Sequence, residues 1–169
     1  AQISKSLGNK VKSKNLIVGN GSNEILEFIT RASLDSSSEV IIPKHSFLVY
    51  EIISKLVNAK VVVSQPDKNI NSPNYLGIDI DEVVKKITNK TKLIFIANPG
   101  NPTGTYLKLS VIDEFLNSIP KRITIVIDEA YYEYLNPSVD KSAVTLLKKY
   151  KNLYVTRSFS KIYGLASLR

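Results

Sequence analysis

Cysteine, methionine and tryptophan are absent from this 169-residue chain, and histidine occurs once. Without cysteine there is no disulfide framework, no thiolate metal site and no cysteine nucleophile. The single histidine, His45, argues against a histidine-ligated metal and against a Ser-His-Asp triad. No apolar run approaches the roughly 18 residues of a membrane span. The opening residues, AQISKSLGNKVKSK, are polar and lack the apolar core of a signal peptide. These gaps lead to the expectation of a cytoplasmic protein with no metal and no membrane partner. The lack of methionine, the initiator included, and a loop-like stretch from Gly164 to Arg169 suggest part of a longer chain.

What is present is an ordinary globular composition, 43% hydrophobic and 22% charged, which excludes intrinsic disorder. The length suits one α/β domain with a proper core. The formal charge of +8 invites a nucleic-acid reading. The lysines are scattered, however, and no basic block is interleaved with aromatics. A solvated basic surface is the simpler reading, and no nucleic-acid partner is expected.

Strands and helices alternate along the chain. Short apolar runs at Val40–Ile42, Lys60–Ser64, Leu93–Ala97, Ile123–Ile127 and Leu153–Thr156 read as strands, and the three consecutive valines of Lys60–Ser64 suit one buried on both faces. Between them lie helical patterns: Ser22–Leu34 with Ser22 as cap, Phe47–Leu56, a helix capped by Asp79, one capped by Ser110, and Ser142–Leu147. This order predicts an α/β three-layer sandwich with a mostly parallel sheet. Ligands of such sheets sit beyond the carboxyl ends of the strands. Four loops fall there: Gly19–Glu24, Asn98–Gly104, Asp128–Tyr134 and Arg157–Arg169.

Each loop has chemistry of its own. Gly19-Asn20-Gly21-Ser22-Asn23-Glu24 opens a helix, whose free N–H groups suit an anion. Glu24 stands where a dinucleotide fingerprint needs a third glycine, and no GKS or GKT follows for a P-loop. A phosphate cradle and an ordinary capped helix start both remain. Asn98-Pro99-Gly100-Asn101-Pro102-Thr103-Gly104 is stiffened by two prolines and can hold an amide in place, or serve as a plain turn. Asp128 ends an apolar strand, where a buried carboxylate needs a cationic or N–H-bearing partner, an ion pair, or a helix to cap. Lys161, in Arg157-Ser158-Phe159-Ser160-Lys161, stands just beyond the last strand, where partial burial would make its amine nucleophilic.

In order and together, these segments resemble the fold-type-I pyridoxal-phosphate aminotransferases. The resemblance rests on NPGNPTG, IDEAYYEY and SFSKIYGLASLR, and GNGSNEI and PKHSFLVYEI tilt it towards the histidinol-phosphate branch. It covers Gly19 to Arg169, nearly the whole chain. It implies pyridoxal 5'-phosphate as cofactor, residues 1–169 as its large binding domain, and a smaller domain largely missing from this chain. Lys161 is then the amine that bonds to the cofactor aldehyde and moves the substrate's α-proton. Asp128 pairs with the ring nitrogen, and Asn101 and Tyr131 bond the phenolic oxygen. Ser22, Asn23, Ser158 and Arg169 hold the phosphate, assisted by Ser160. His45 occupies the place of a ring-stacking aromatic.

The implied reaction is transamination of histidinol phosphate with 2-oxoglutarate, giving imidazole acetol phosphate and glutamate, in a homodimer. The implied partners are thus an amino-acid or amino-phosphate substrate and a 2-oxo acid. The alternative that keeps the cofactor is a related enzyme, an aromatic amino-acid aminotransferase or a phosphothreonine decarboxylase. A basic binding module that keeps only the fold is the non-enzyme alternative.

Overall fold

A computed structural model describes residues 3–4, 7, 11–136 and 141–168. Five strands form one sheet: β1 (Glu39–Pro43), β2 (Lys60–Ser64), β3 (Thr91–Ala97), β4 (Thr124–Asp128) and β5 (Leu153–Thr156). Their order is β2-β1-β3-β4-β5, and every neighbouring pair is parallel. The α-helices are α1 (Gly21–Ser33), α2 (Val49–Leu56), α3 (Ile80–Lys85) and α4 (Leu109–Ser118). Parallel neighbours need crossovers. Helices α2, α3 and α4 lie between successive strands from β1 to β4, the 3₁₀ turns Tyr132–Tyr134 and Ala143–Leu146 lie between β4 and β5, and α1 precedes β1. The expected three-layer α/β sandwich is therefore present, but β2 is not buried on both faces as its valines suggested: it is an edge strand, with Val63 exposed and only Ser64 buried.

The period-2 alternation of side chains divides the core in two. Ile94, Ile96, Ile125 and Ile127 face one side of the sheet and pack with Val83 of α3 and with Ile112, Phe115 and Leu116 of α4. Leu93, Phe95, Ala97 and Val126 face the other, with Leu26 of α1 and with Tyr50 and Ile53 of α2. The same alternation continues past the end of β4. Asp128 follows Val126 onto the α1–α2 side, and Glu129 follows Ile127 to the opposite side.

Several helix boundaries differ from the sequence expectation; α2, for one, begins at Val49 and not at Phe47. The residue preceding α1 is Asn20, not Ser22, and its N–H is taken by Glu24 Oε2 at 2.7 Å. Ser22 thus lies inside the first turn. Likewise α4 begins after Lys108, which leaves Ser110 within the helix. The segment after Ser142 forms only a 3₁₀ turn, Ala143–Leu146, with the Ser142 hydroxyl accepting from Val144 N–H. Asp79 does cap α3, accepting from Glu82 N–H at 3.1 Å.

Candidate active site

The carboxyl ends of β3, β4 and β5 lie in one row, with Ala97 opposite Asp128 and Asp128 opposite Thr156. Above that row is a cleft of about 270 Å³. Ser22, Asn23, Asn101, Asp128, Tyr131, Ser158, Ser160 and Lys161 all line it. Residues from four separate loops, far apart in sequence, are thereby gathered at one place.

The α1 end of the cleft depends on two glycines. Gly21 has a φ of 74°, a conformation that L side chains rarely adopt. A Cβ on Gly19 would lie 2.7 Å from the Ile25 side chain and 2.8 Å from Glu24 Oε2. The chain therefore turns tightly into α1 and presents Ser22 and Asn23 at its N-terminus, the positive end of the helix dipole.

Across the cleft, the Asn98–Gly104 loop is clasped at its root. The buried Asn98 amide donates to Leu107 C=O at 3.0 Å and accepts from Leu107 N–H at 2.8 Å. Both Asn–Pro bonds are cis. Asn101 at the tip of the loop, rather than Asn98 at its base, lines the cleft.

Asp128 is the floor, only 5% exposed. Its Oδ1 accepts from the Thr156 hydroxyl at 2.9 Å and from Ala130 N–H at 3.2 Å. Its Oδ2 accepts from the Tyr50 hydroxyl at 2.7 Å. Burial pushes the carboxyl up from its ordinary value, while these donors and the Lys161 charge pull it back down. A cation or an N–H at the open side of this group would stabilise its ionised form.

Lys161 lines the cleft with its Nζ 5.1 Å from the centre of the Tyr131 ring. It is exposed, contrary to the expectation of partial burial. The turn after β5 carries the side chain at the mouth, so solvent reaches it in the open cleft. His45 is also corrected. It is exposed in the loop between β1 and α2 and does not line the cleft; Phe47, two residues on, does. The chain leaves β1 at Pro43 and enters α2 at Val49, and this geometry turns Phe47 inward. Arg169, the remaining candidate, lies outside the described residues.

Two features went unread in the sequence. One is Tyr50, which is buried at the base of the cleft and contributes to its lining. The other is a buried ion pair behind it. Glu129 is 1% exposed and takes two bonds on Oε2 from Arg157, from Nε at 3.0 Å and from Nη2 at 2.9 Å. Ser142 Oγ and Ala143 N–H donate to the same carboxylate, each at 2.7 Å. Arg157 also reaches Glu133 Oε1 at 3.2 Å and lies 4.1 Å from the centre of the Tyr132 ring. Burial raises the Glu129 carboxyl and the Arg157 charge opposes that shift. Because Glu129 follows Asp128 and Arg157 precedes Ser158, the pair ties the ends of β4 and β5 together. Arg157→Ala leaves a buried carboxylate without its countercharge, and the expected cost is about 3–5 kcal/mol in urea unfolding. An unfolding midpoint equal to wild type would contradict this.

Among the described residues, no group of three His, Cys, Asp or Glu side chains suits a metal ion, and no helix is long and apolar enough to cross a membrane.

A parallel sheet covered on both faces, with a buried carboxylate and a lysine facing a common cleft at the strand ends, defines a class of cofactor-binding lobe. The chain belongs to the aminotransferase class I and II family, whose profile matches residues 2–169. It is 46% identical to a histidinol-phosphate aminotransferase of Pelagibacter ubique (strain HTCC1062), over 99% of this chain and 44% of that protein. The structure is similar to that of the histidinol-phosphate aminotransferase from Clostridium acetobutylicum, with a TM-score of 0.79 and 28% identity over 99% of this chain and 47% of the other. Its fold also matches histidinol-phosphate aminotransferase from Sinorhizobium meliloti in complex with pyridoxal-5'-phosphate, with a TM-score of 0.85 and 21% identity over 99% of this chain and 44% of that one. The chain spans less than half the length of these proteins.

Proposed function

We propose that residues 1–169 are the pyridoxal-phosphate-binding large domain of an aminotransferase that acts on histidinol phosphate, with 2-oxoglutarate as amino acceptor. The observation that carries this reading is the convergence of Lys161, Asp128, Tyr131 and Asn101 on one cleft that also opens on the N-terminus of α1. The relatives' names support the substrate.

The donor set fits the cofactor. A buried carboxylate suits a protonated ring nitrogen. The α1 N-terminus with Ser22 and Asn23, together with the Ser158 and Ser160 hydroxyls, suits a phosphate dianion. Asn101 and Tyr131 offer donors to a phenolate oxygen. Phe47 provides the flat apolar wall that the sequence reading placed at His45.

When bound, pyridoxal 5'-phosphate supplies an aldehyde that takes up an amino group and a ring that withdraws electrons. The chain's own residues do the rest. Lys161 Nζ would bond to that aldehyde, and as a free amine would move the substrate's α-proton, first as base and then as acid. Asp128 holds a proton on the ring nitrogen. The phosphate contacts hold the ring in position, so that proton transfer is effectively intramolecular. Charge scattered over the surface does none of this, which leaves the basic-module alternative without support.

We read the complete protein as a homodimer located in the cytoplasm. Leu48, Ile52 and Leu56 stand exposed at helical spacing along α2, an apolar row that association would cover.

The test is borohydride reduction of the purified protein with pyridoxal 5'-phosphate, followed by peptide mass mapping. The expected adduct is on Lys161. An unmodified Lys161 in folded protein would contradict the assignment.

A further inference from the structure

We propose that Tyr50 is a positioning residue that holds Asp128 in the orientation and ionisation state the cofactor's ring nitrogen needs. The inference rests on the cofactor reading above and extends it to Tyr50, a residue of the PKHSFLVYEI segment to which the resemblance assigned no role.

Tyr50 has no solvent exposure. Its ring is stacked on Phe95 of β3, with centroids 4.6 Å apart and planes 2° from parallel. It meets Phe47 edge-on at 5.7 Å and 90°. Held by both rings, the side chain keeps its hydroxyl in one place. That hydroxyl donates to Asp128 Oδ2 at 2.7 Å, across 78 residues of sequence.

The packing of Tyr50 would be served equally well by phenylalanine, because both ring contacts are apolar. A buried hydroxyl needs a partner, and this one has the carboxylate. The geometry at Asp128 explains what the partnership does. Thr156 and Ala130 occupy Oδ1, from β5 and from the backbone beyond β4. Tyr50 occupies one of two acceptor positions on Oδ2. Donors on both oxygens prevent the carboxylate plane from rotating and leave one position on Oδ2 for a further N–H. They also offset part of the cost of burying the charge. Phe47 lines the cleft and touches Tyr50, so the aromatic wall and the acidic floor are braced by one side chain.

The variant is Tyr50→Phe, which removes one oxygen and keeps both ring contacts. Two probes separate positioning from plain packing: pyridoxal 5'-phosphate and its 1-deaza analogue, with carbon in place of the ring nitrogen. A residue acting through Asp128 and the ring nitrogen affects the first and not the second. The expected result is affinity for pyridoxal 5'-phosphate weakened on the order of tenfold, the scale of one hydrogen bond to a charged group. Affinity for the analogue changes by less than about twofold, within the scatter of uncoupled effects.

Equal weakening of both ligands, or no weakening of pyridoxal 5'-phosphate, would overturn the proposal. Wild-type protein that takes up neither ligand would overturn the cofactor reading itself. If Tyr50→Phe alone fails to fold, the same substitution in an Asp128→Asn background decides the matter, since no buried charge then lacks a donor. There it should leave the affinity for pyridoxal 5'-phosphate unchanged, and a further tenfold loss would refute the positioning role.

Discussion

On the proposed function, Lys161→Ala is expected to abolish transamination, with kcat reduced by at least about 10³-fold. The estimate follows from the work assigned to one amine. General acid–base catalysis alone contributes roughly 10²–10⁴-fold, and the covalent role is lost with it. Lys161→Arg fails to the same extent, because a guanidinium stays protonated and cannot accept the α-proton. Cofactor binding survives in both variants, since Asp128, Ser158 and the N-terminus of α1 line other parts of the cleft. The check has two parts: exchange of the substrate α-proton with solvent, and the cofactor dissociation constant by fluorescence. Exchange at the wild-type rate in Lys161→Ala would place the base elsewhere.

Asp128→Asn acts in opposite directions on binding and on stability. Removing one partner of a buried charge pair costs about 2–5 kcal/mol, and the cofactor dissociation constant rises accordingly. Without cofactor the same substitution stabilises the protein at neutral pH. Burial raises the folded-state pKa of Asp128 above its ordinary value of 3.8. An acid whose pKa is raised on folding binds its proton more tightly in the native state. Its contribution to stability therefore falls as pH climbs from about 3.8 through the folded value. Asparagine has no such loss. Glu129 is shifted in the same direction and is present in both proteins, so the difference between their profiles isolates Asp128. Urea unfolding of the cofactor-free proteins across this range measures it. Superimposable pH profiles would refute the buried-charge account.

These two side chains also show how far the sequence could be read. Asp128 stands out because it ends the run TIVID, where a charge among β-branched residues needs a partner. Lys161 stands out only within SFSKIYGLASLR, since it is one of many lysines. Its exposure was misjudged: burial depends on what packs over the turn after β5, and local sequence does not encode that. His45 and Phe47 make the same point within three residues. Which of them faces the cleft depends on where β1 stops and α2 begins, and that boundary is decided by packing of Tyr50 and Ile53 against the sheet.

At α1 the displaced start has a local cause: Glu24 reaches back to Asn20 N–H, so the helix begins before Ser22. At α4 the residue before the helix is Lys108, with no side-chain cap, and nothing local marks that start. The strands were located correctly because LIFIA and TIVID are apolar runs bounded by turn residues.

By itself, then, the sequence determined the alternation of strand and helix, the parallel sheet, and the four loops at its carboxyl end. Those follow from periodicity and turn chemistry, which act over a few residues. Only the tertiary structure decided that Tyr50 donates to Asp128, that Arg157 neutralises Glu129, and that Phe47 rather than His45 lines the cleft. Each of those depends on the parallel register that sets Asp128 beside Thr156 and on the helices packed against the sheet. Contacts between residues 28 or 78 positions apart arise from that packing and leave no local pattern in the chain.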